Sequence, residues 1–222
     1  MGQSGFIAAM NQALTEVHAA LAGDPMGFDH VRLSIIAFSD NTEVLLPLCQ
    51  VTEVADMPRI TESGLTNYGT VFELLQSKIE KDVNRMKGEG FRVYRPLVFF
   101  MSNGEPLDDW EGAYACLTNH TFRPHIVSFG FEYADAAILT KIATIGFYVG
   151  QDDADAGRAL ADVMISNLQQ INAFALDQNM AISVLTLWNL SVKVPPGFTG
   201  GAGKYRHVGR AAPSPIALDP QF

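Results

Sequence analysis

A mostly parallel, doubly wound α/β sheet with one antiparallel edge strand and helices on both faces is the fold class this sequence predicts. Three observations point to it. Apolar residues recur at helical spacing in several long segments. Short, continuously apolar runs lie between those segments, as expected of strands covered on both faces. The two kinds of segment alternate along 222 residues, enough for one domain.

The elements follow in order. Phe6, Met10, Leu14, Val17 and Leu21 share one helical face, and Gly23-Asp24-Pro25 stops that helix. Val31 to Phe38 is short, apolar and β-branched, hence a strand. Ser39-Asp40-Asn41 turns the chain into a second strand, Glu43 to Leu48, and so short a link permits only an antiparallel hairpin. Residues 52–65 are irregular. Val71, Leu75, Ile79 and Val83 mark a long helix, ended by Lys87-Gly88-Glu89-Gly90. Leu97 to Met101 reads as a central strand, and Asp108 or Asp109 as the cap of a short helix running to about Leu117. His125 to Phe129 is a strand, Ala134 to Ala143 a helix, and Gly146 to Val149 a strand. A last long helix runs from about Asp155 to Leu176, with Leu160, Val163, Leu168, Ile171 and Ala175 inward, and residues 182–194 hold one more strand. Residues 1–197 form the domain. Residues 198–222, rich in Gly, Pro and Ala, read as a flexible tail.

The alternation opens on a helix, with no strand before it. A doubly wound sheet commonly keeps its first strand at the centre. Without it, two neighbouring strands would each show a row of unpaired N–H and C=O groups, at about 1–3 kcal/mol per buried group.

Composition narrows the function. Hydrophobic residues are 48% of the chain, enough for a large core, and the net charge of -9 disfavours a phosphate backbone as partner. Cys49 and Cys116 lack clamp spacing, and two cysteines imply no disulfide framework, which fits a reducing compartment. Residues 1–5 do not form a signal sequence, and no apolar run is long enough to span a bilayer. The expectation is a soluble, cytoplasmic protein with no nucleic-acid or membrane partner.

Three stretches carry a resemblance: Val31 to Ser39, Ser63-Gly64-Leu65-Thr66-Asn67-Tyr68-Gly69, and Tyr94 to Pro106 with its Ser102-Asn103-Gly104-Glu105 turn. In order and spacing they resemble the von Willebrand factor A (VWA) family in its bacterial, tellurite-resistance-associated style, over residues 1 to about 197. The resemblance implies a Rossmann-like sheet and a protein-binding role, in a bacterial stress-response or signalling system. It also implies one Mg²⁺ or Mn²⁺ at the carboxyl ends of the strands, held by an Asp-x-Ser-x-Ser loop, a Thr and an Asp. A hard cation there takes oxygen ligands and leaves a position for a partner's acidic side chain.

Carried over residue by residue, Thr66 matches the threonine, and Asn103 stands where the aspartate should be. The first loop has no counterpart. One explanation is that the gene begins upstream and a Met inside that motif was taken as the start. The metal ligands expected here are therefore Thr66 and Asn103, with weak affinity for Mg²⁺ or Mn²⁺. Ser102, Glu105 and Asn67 form the expected partner-binding rim.

Plainer readings stand beside these. Thr66 suits a helix start, and Asn103-Gly104 suits a turn. Cys116, His120 and His125 hint at zinc but lack a fourth ligand. Gly200-Gly201-Ala202-Gly203-Lys204 hints at a phosphate loop but fails its spacing. Asp152, Asp153 and Asp155 suit a helix start. No catalytic set is recognisable, so the expectation is a binding module and not an enzyme. Two rivals remain: a nucleotide- or phosphate-binding enzyme, with Met1 to Gly5 as remnant of a phosphate loop, and a subunit completed by a strand from another chain, hence an oligomer through the open slot.

Overall fold

The computed structural model describes residues 5–24, 31–39, 41–61, 66–131, 133–150, 156–176 and 198–202. The expected strand within 182–194, and residues 1–4 of the supposed phosphate-loop remnant, lie outside the described residues.

Helix α1 spans Gly5–Gly23, followed by strands β1 (Arg32–Phe38) and β2 (Thr42–Gln50) and a 3₁₀ turn, Val51–Glu53. Helix α2 is Tyr68–Gly88, β3 is Leu97–Ser102, α3 is Glu111–Asn119 and β4 is His125–Gly130. Helix α4 (Ala136–Ile142), β5 (Gly146–Gly150), α5 (Ala156–Leu176) and β6 (Phe198–Ala202) complete the order. The four-residue rhythm of Val71, Ile79 and Val83 does mark the buried face of α2. Gly90 at φ +88° closes that helix in the left-handed region, where its N–H reaches Lys87 O and Phe91 N–H reaches Met86 O.

Two layers of helices enclose the strands. On one face α1 packs along α5, around Val17, Leu21, Leu160 and the ring of Phe129. A Cβ on Gly157 would lie 2.8 Å from Ala9 O and 3.0 Å from Ala9 Cα, so glycine is what lets these two helices approach so closely. On the other face α2, α3 and α4 cover Phe100 and Ile126. Successive residues of β3 alternate between the clusters, Phe99 toward α1 and α5 and Phe100 toward α2, as the pleat requires.

Among the described residues the strands form two sheets, not one. β1 and β2 pair antiparallel with irregular register near Ile35, as the short link demanded. β3, β4 and β5 are parallel, and β6 joins β5 antiparallel, giving the order β3-β4-β5-β6. One expectation is corrected. The antiparallel strands are β2 and also β6, so Phe198–Ala202 is a strand and not tail; glycine-rich composition had hidden it. As the order of elements implied, the sheet is interrupted between β1 and β3 among the described residues. A cavity of about 1030 Å³ occupies that gap.

His125 opens β4 with its Nδ1 buried and unpartnered. Burial, aided by the Arg95 and Arg123 charges, pushes its pKa down from 6.5 to about 3. The folded ring is therefore neutral where an unfolded histidine takes a proton. Its contribution is complete above pH 6.5 and is lost as pH falls from there toward 3. His125→Phe should flatten the pH dependence of urea-unfolding stability between pH 6.5 and 4 relative to the native chain. Identical slopes would show that His125 titrates normally.

Candidate functional site at the carboxyl rim

The carboxyl ends of β1 and β3 meet the start of α2. Phe38 lies 5.9 Å from the Tyr68 ring, and Tyr68 lies 5.0 Å from Phe100. Tyr68 is buried, and its hydroxyl donates to Gly104 O at 2.9 Å. Its pKa is raised to about 12, chiefly by burial, with the Asp108 and Glu105 charges adding and a hydrogen bond with Ser102 opposing. The phenol thus stays protonated and serves as a strut under the turn.

The turn after β3 is held from several sides. Ser102 is buried; its hydroxyl donates to Gly104 O at 3.2 Å and accepts from Gly104 N–H at 3.3 Å. Thr66 sits against this turn: a Cβ on Gly104 would come within 3.1 Å of Thr66 Oγ1. Leu107 N–H donates to Thr66 O at 3.0 Å, and Tyr133 N–H to Asn103 O at 3.2 Å. The structure therefore brings Thr66, Ser102 and Asn103 to one rim, where all three line the mouth of the cavity. Asn67 precedes α2 on the same loop but makes no side-chain cap, and Glu105 is exposed.

Asp108 had been expected to cap the short helix that follows it. It does something else. Its Oδ1 accepts Tyr68 N–H at 2.9 Å and its Oδ2 accepts Gly69 N–H at 2.7 Å, so it caps α2 from forty residues away. Trp110 occupies the cap position of α3 without a side-chain bond. A carboxylate on the first free N–H groups of a helix is favoured by both hydrogen bonding and the helix dipole.

That arrangement bears on the metal. Thr66, Asn103 and Ser102 offer neutral oxygens, and Ser102 and Asp108 are engaged with backbone. Among the described residues no trio of His, Cys, Asp or Glu is placed to hold an ion. A hard divalent cation draws its affinity largely from ligand charge. The described donors do not fit a tight Mg²⁺ or Mn²⁺ site. Nor do Cys116, His120 and His125 come together: His120 Nδ1 accepts Phe122 N–H at 3.2 Å, and Cys116 is exposed. Gly200 and Gly201 pair with Tyr148 and Phe147 inside β6, so they do not join a strand to a helix as a phosphate loop would.

Two residues that sequence reasoning missed stand out. Leu107 is 64% exposed and Tyr133 84% exposed, among the few large hydrophobic side chains so exposed in the described residues. Both are tied by backbone bonds to the site, Leu107 to Thr66 and Tyr133 to Asn103. Periodicity could not mark them, because both sit in loops.

No family model matches the chain, and no curated protein does. Among solved structures, two chains match. One is the crystal structure of the ArnB paralog VWA2 from Sulfolobus acidocaldarius, at 19% identity and a TM-score of 0.37. The match covers 65% of this chain and 39% of that one, so the chain spans well under half of that protein's length. Among the described residues no helix is long and apolar enough to cross a membrane.

Proposed function

We propose that this protein is a non-catalytic, VWA-type protein-binding module whose contact surface is the carboxyl rim around Thr66, Asn67, Ser102, Asn103 and Glu105. The observation that supports it most is the pair of exposed apolar side chains, Leu107 and Tyr133, flanking a turn that is otherwise rigidly bonded. Large apolar groups on a fixed polar frame are the composition of a protein contact, where an aromatic side chain often supplies the anchor. A bacterial stress-response or signalling system remains the setting that the resemblance implies, and a partner's acidic side chain remains the expected contact for any bound cation.

In this reading the metal site has decayed and the rim binds through shape and apolar contact. Isothermal calorimetry tests it. Weak heats with Mg²⁺ and Mn²⁺ and none with ATP are expected. A partner retained by the native chain should be lost by the Leu107→Ser, Tyr133→Ser double variant. Micromolar nucleotide binding would instead favour the enzyme reading. Asn103→Asp restores the missing charge and should tighten Mn²⁺ binding by about tenfold or more. An unchanged titration would mean that Asn103 does not face an ion site.

A further inference from the structure

We propose that a second copy of this chain docks head to tail on the rim, with its amino-end surface around Phe91 and Arg92 seated on the carboxyl-end surface around Leu107 and Tyr133. The inference rests on the reading of the rim as a protein contact and names the partner that fits it.

The first ground is where the exposed apolar side chains lie. Among the described residues three large ones are exposed: Phe91 at 50%, Leu107 and Tyr133. Leu107 and Tyr133 stand beyond the carboxyl ends of β3 and β4. Phe91 stands ahead of the amino end of β3, across a strand of six residues. At strand rise that separation is about 20 Å. Two apolar surfaces at opposite ends of one sheet cannot cover each other within a molecule. Two molecules can do it for each other.

The second ground is charge. Residues 90–96 and 120–124, which lead into β3 and β4, contain Arg92, Arg95 and Arg123 and no Asp or Glu. Residues 103–110 and 131–135, which leave the same strands, include Glu105, Asp108, Asp109 and Asp135 and no Lys or Arg. In a chain of net charge -9, the basic end is the exception. Arg92 and Arg123 are exposed there, as Glu105 and Asp109 are at the other end. Neighbouring charges of opposite sign are already matched within the molecule. Glu89, before the basic loop, lies 3.7 Å from Arg85, and Glu111, just past the acidic one, lies 4.0 Å from Lys141. Surfaces of opposite sign attract and fix orientation, whereas like ends repel, so charge selects the head-to-tail arrangement.

The third ground is that both surfaces are built in advance. At the amino end Arg95 Nε donates to Arg123 O at 2.9 Å and its Nη2 to Pro124 O at 3.3 Å, tying the two basic loops together. The Arg32 guanidinium lies 5.6 Å from the Phe91 ring centre, and Lys87 Nζ 4.9 Å from that of Phe122. At the carboxyl end Asp108 is bonded to α2, and Asp135 accepts Ala137 N–H at 2.6 Å. Surfaces already held in place lose little freedom on docking.

Other occupants match one end and leave the other bare. An acidic partner suits Phe91 and its arginines; a basic one suits Leu107 and Tyr133 with their carboxylates. A second copy covers both. Such a contact is heterologous, so each added molecule presents a fresh end and assembly continues past the dimer.

Sedimentation velocity on the 222-residue chain tests this, from about 5 to about 500 µM protein in about 0.1 M salt. There the Debye length of about 10 Å mutes repulsion between net charges but not contacts across an interface. The weight-average mass should climb with concentration past that of a dimer, and fall back in about 1 M salt. The Arg92→Glu, Arg123→Glu variant and, separately, the Glu105→Lys, Asp109→Lys variant should each stay monomeric. Mixed in equal amounts, the two should regain association, because every contact between them again joins opposite signs; misfolded variants would not. A native chain that stays monomeric throughout overturns the proposal, and the calorimetry of the Leu107→Ser, Tyr133→Ser variant then still reads rim binding to a different partner. Association that neither variant weakens, or a mixture that remains monomeric, overturns it as well.

Discussion

Phe72→Ala should lower the stability of this protein by about 4 kcal/mol, the largest single-residue loss expected in the fold. Phe72 is wholly buried at the centre of an aromatic cluster. Its ring lies 5.4 Å from Phe100, 5.4 Å from Tyr114, 6.0 Å from Trp110 and 6.2 Å from Tyr68. Removing it deletes the transfer free energy of a phenyl group and leaves a hole that four rigid rings cannot collapse into. The edge-to-face and tilted pairs add roughly 0.5–1.5 kcal/mol each beyond area alone. In a domain of this size the melting temperature should fall by about 10 °C. A loss under about 1 kcal/mol in urea unfolding would mean that the cluster is loosely packed. The same variant should weaken rim binding, because Tyr68, the strut beneath Gly104, leans on Phe72.

Asp108→Ala should cost about 3 kcal/mol, more than an ordinary cap. The carboxylate accepts two backbone N–H bonds at the start of α2, and both donors, Tyr68 and Gly69, are buried. Truncation leaves them unsatisfied and also frees the loop that bears Leu107. Asp108→Asn keeps one acceptor oxygen and should fall between the two. Gly69→Ala tests the same contact from the other side, since its Cβ would lie 2.8 Å from Asp108 Oδ2. The Gly69→Ala, Asp108→Ala double variant should be less unstable than the two losses added together, a coupling that a double-mutant cycle reads directly. Additive losses would show that the contact does not form.

The local physics of the chain was legible. Val71, Ile79 and Val83 repeat as a helix face because only one side of α2 meets the strands. The apolar run through Phe99 and Phe100 is continuous because helices cover both faces of β3. The interrupted sheet could be expected from element order alone. The partnership of Asp108 with α2 could not, since forty residues separate donor from acceptor and the carboxylate sits beside a nearer helix that would also accept it. β6 was missed because Gly200-Gly201-Ala202, more than half of it, disfavours a strand; an existing edge at β5 pairs with it. At the rim, the meeting of Thr66 with the Asn103 turn was what the family resemblance implied. The apolar flank of Leu107 and Tyr133 did not, because exposure in a loop depends on where the loop is tied.

The division of the strands into two sheets has a mechanical consequence. Across the seam, Phe38 and Phe100 stack at 5.4 Å, but among the described residues no strand pairing joins the two sheets. Ring contacts resist separation yet barely resist sliding, whereas a ladder of backbone bonds resists both. The hairpin can therefore shear against the main sheet at small cost, and heating should release it as its own melting unit. Scanning calorimetry would then return a total enthalpy larger than the van't Hoff value, as it does for a molecule that melts in two steps.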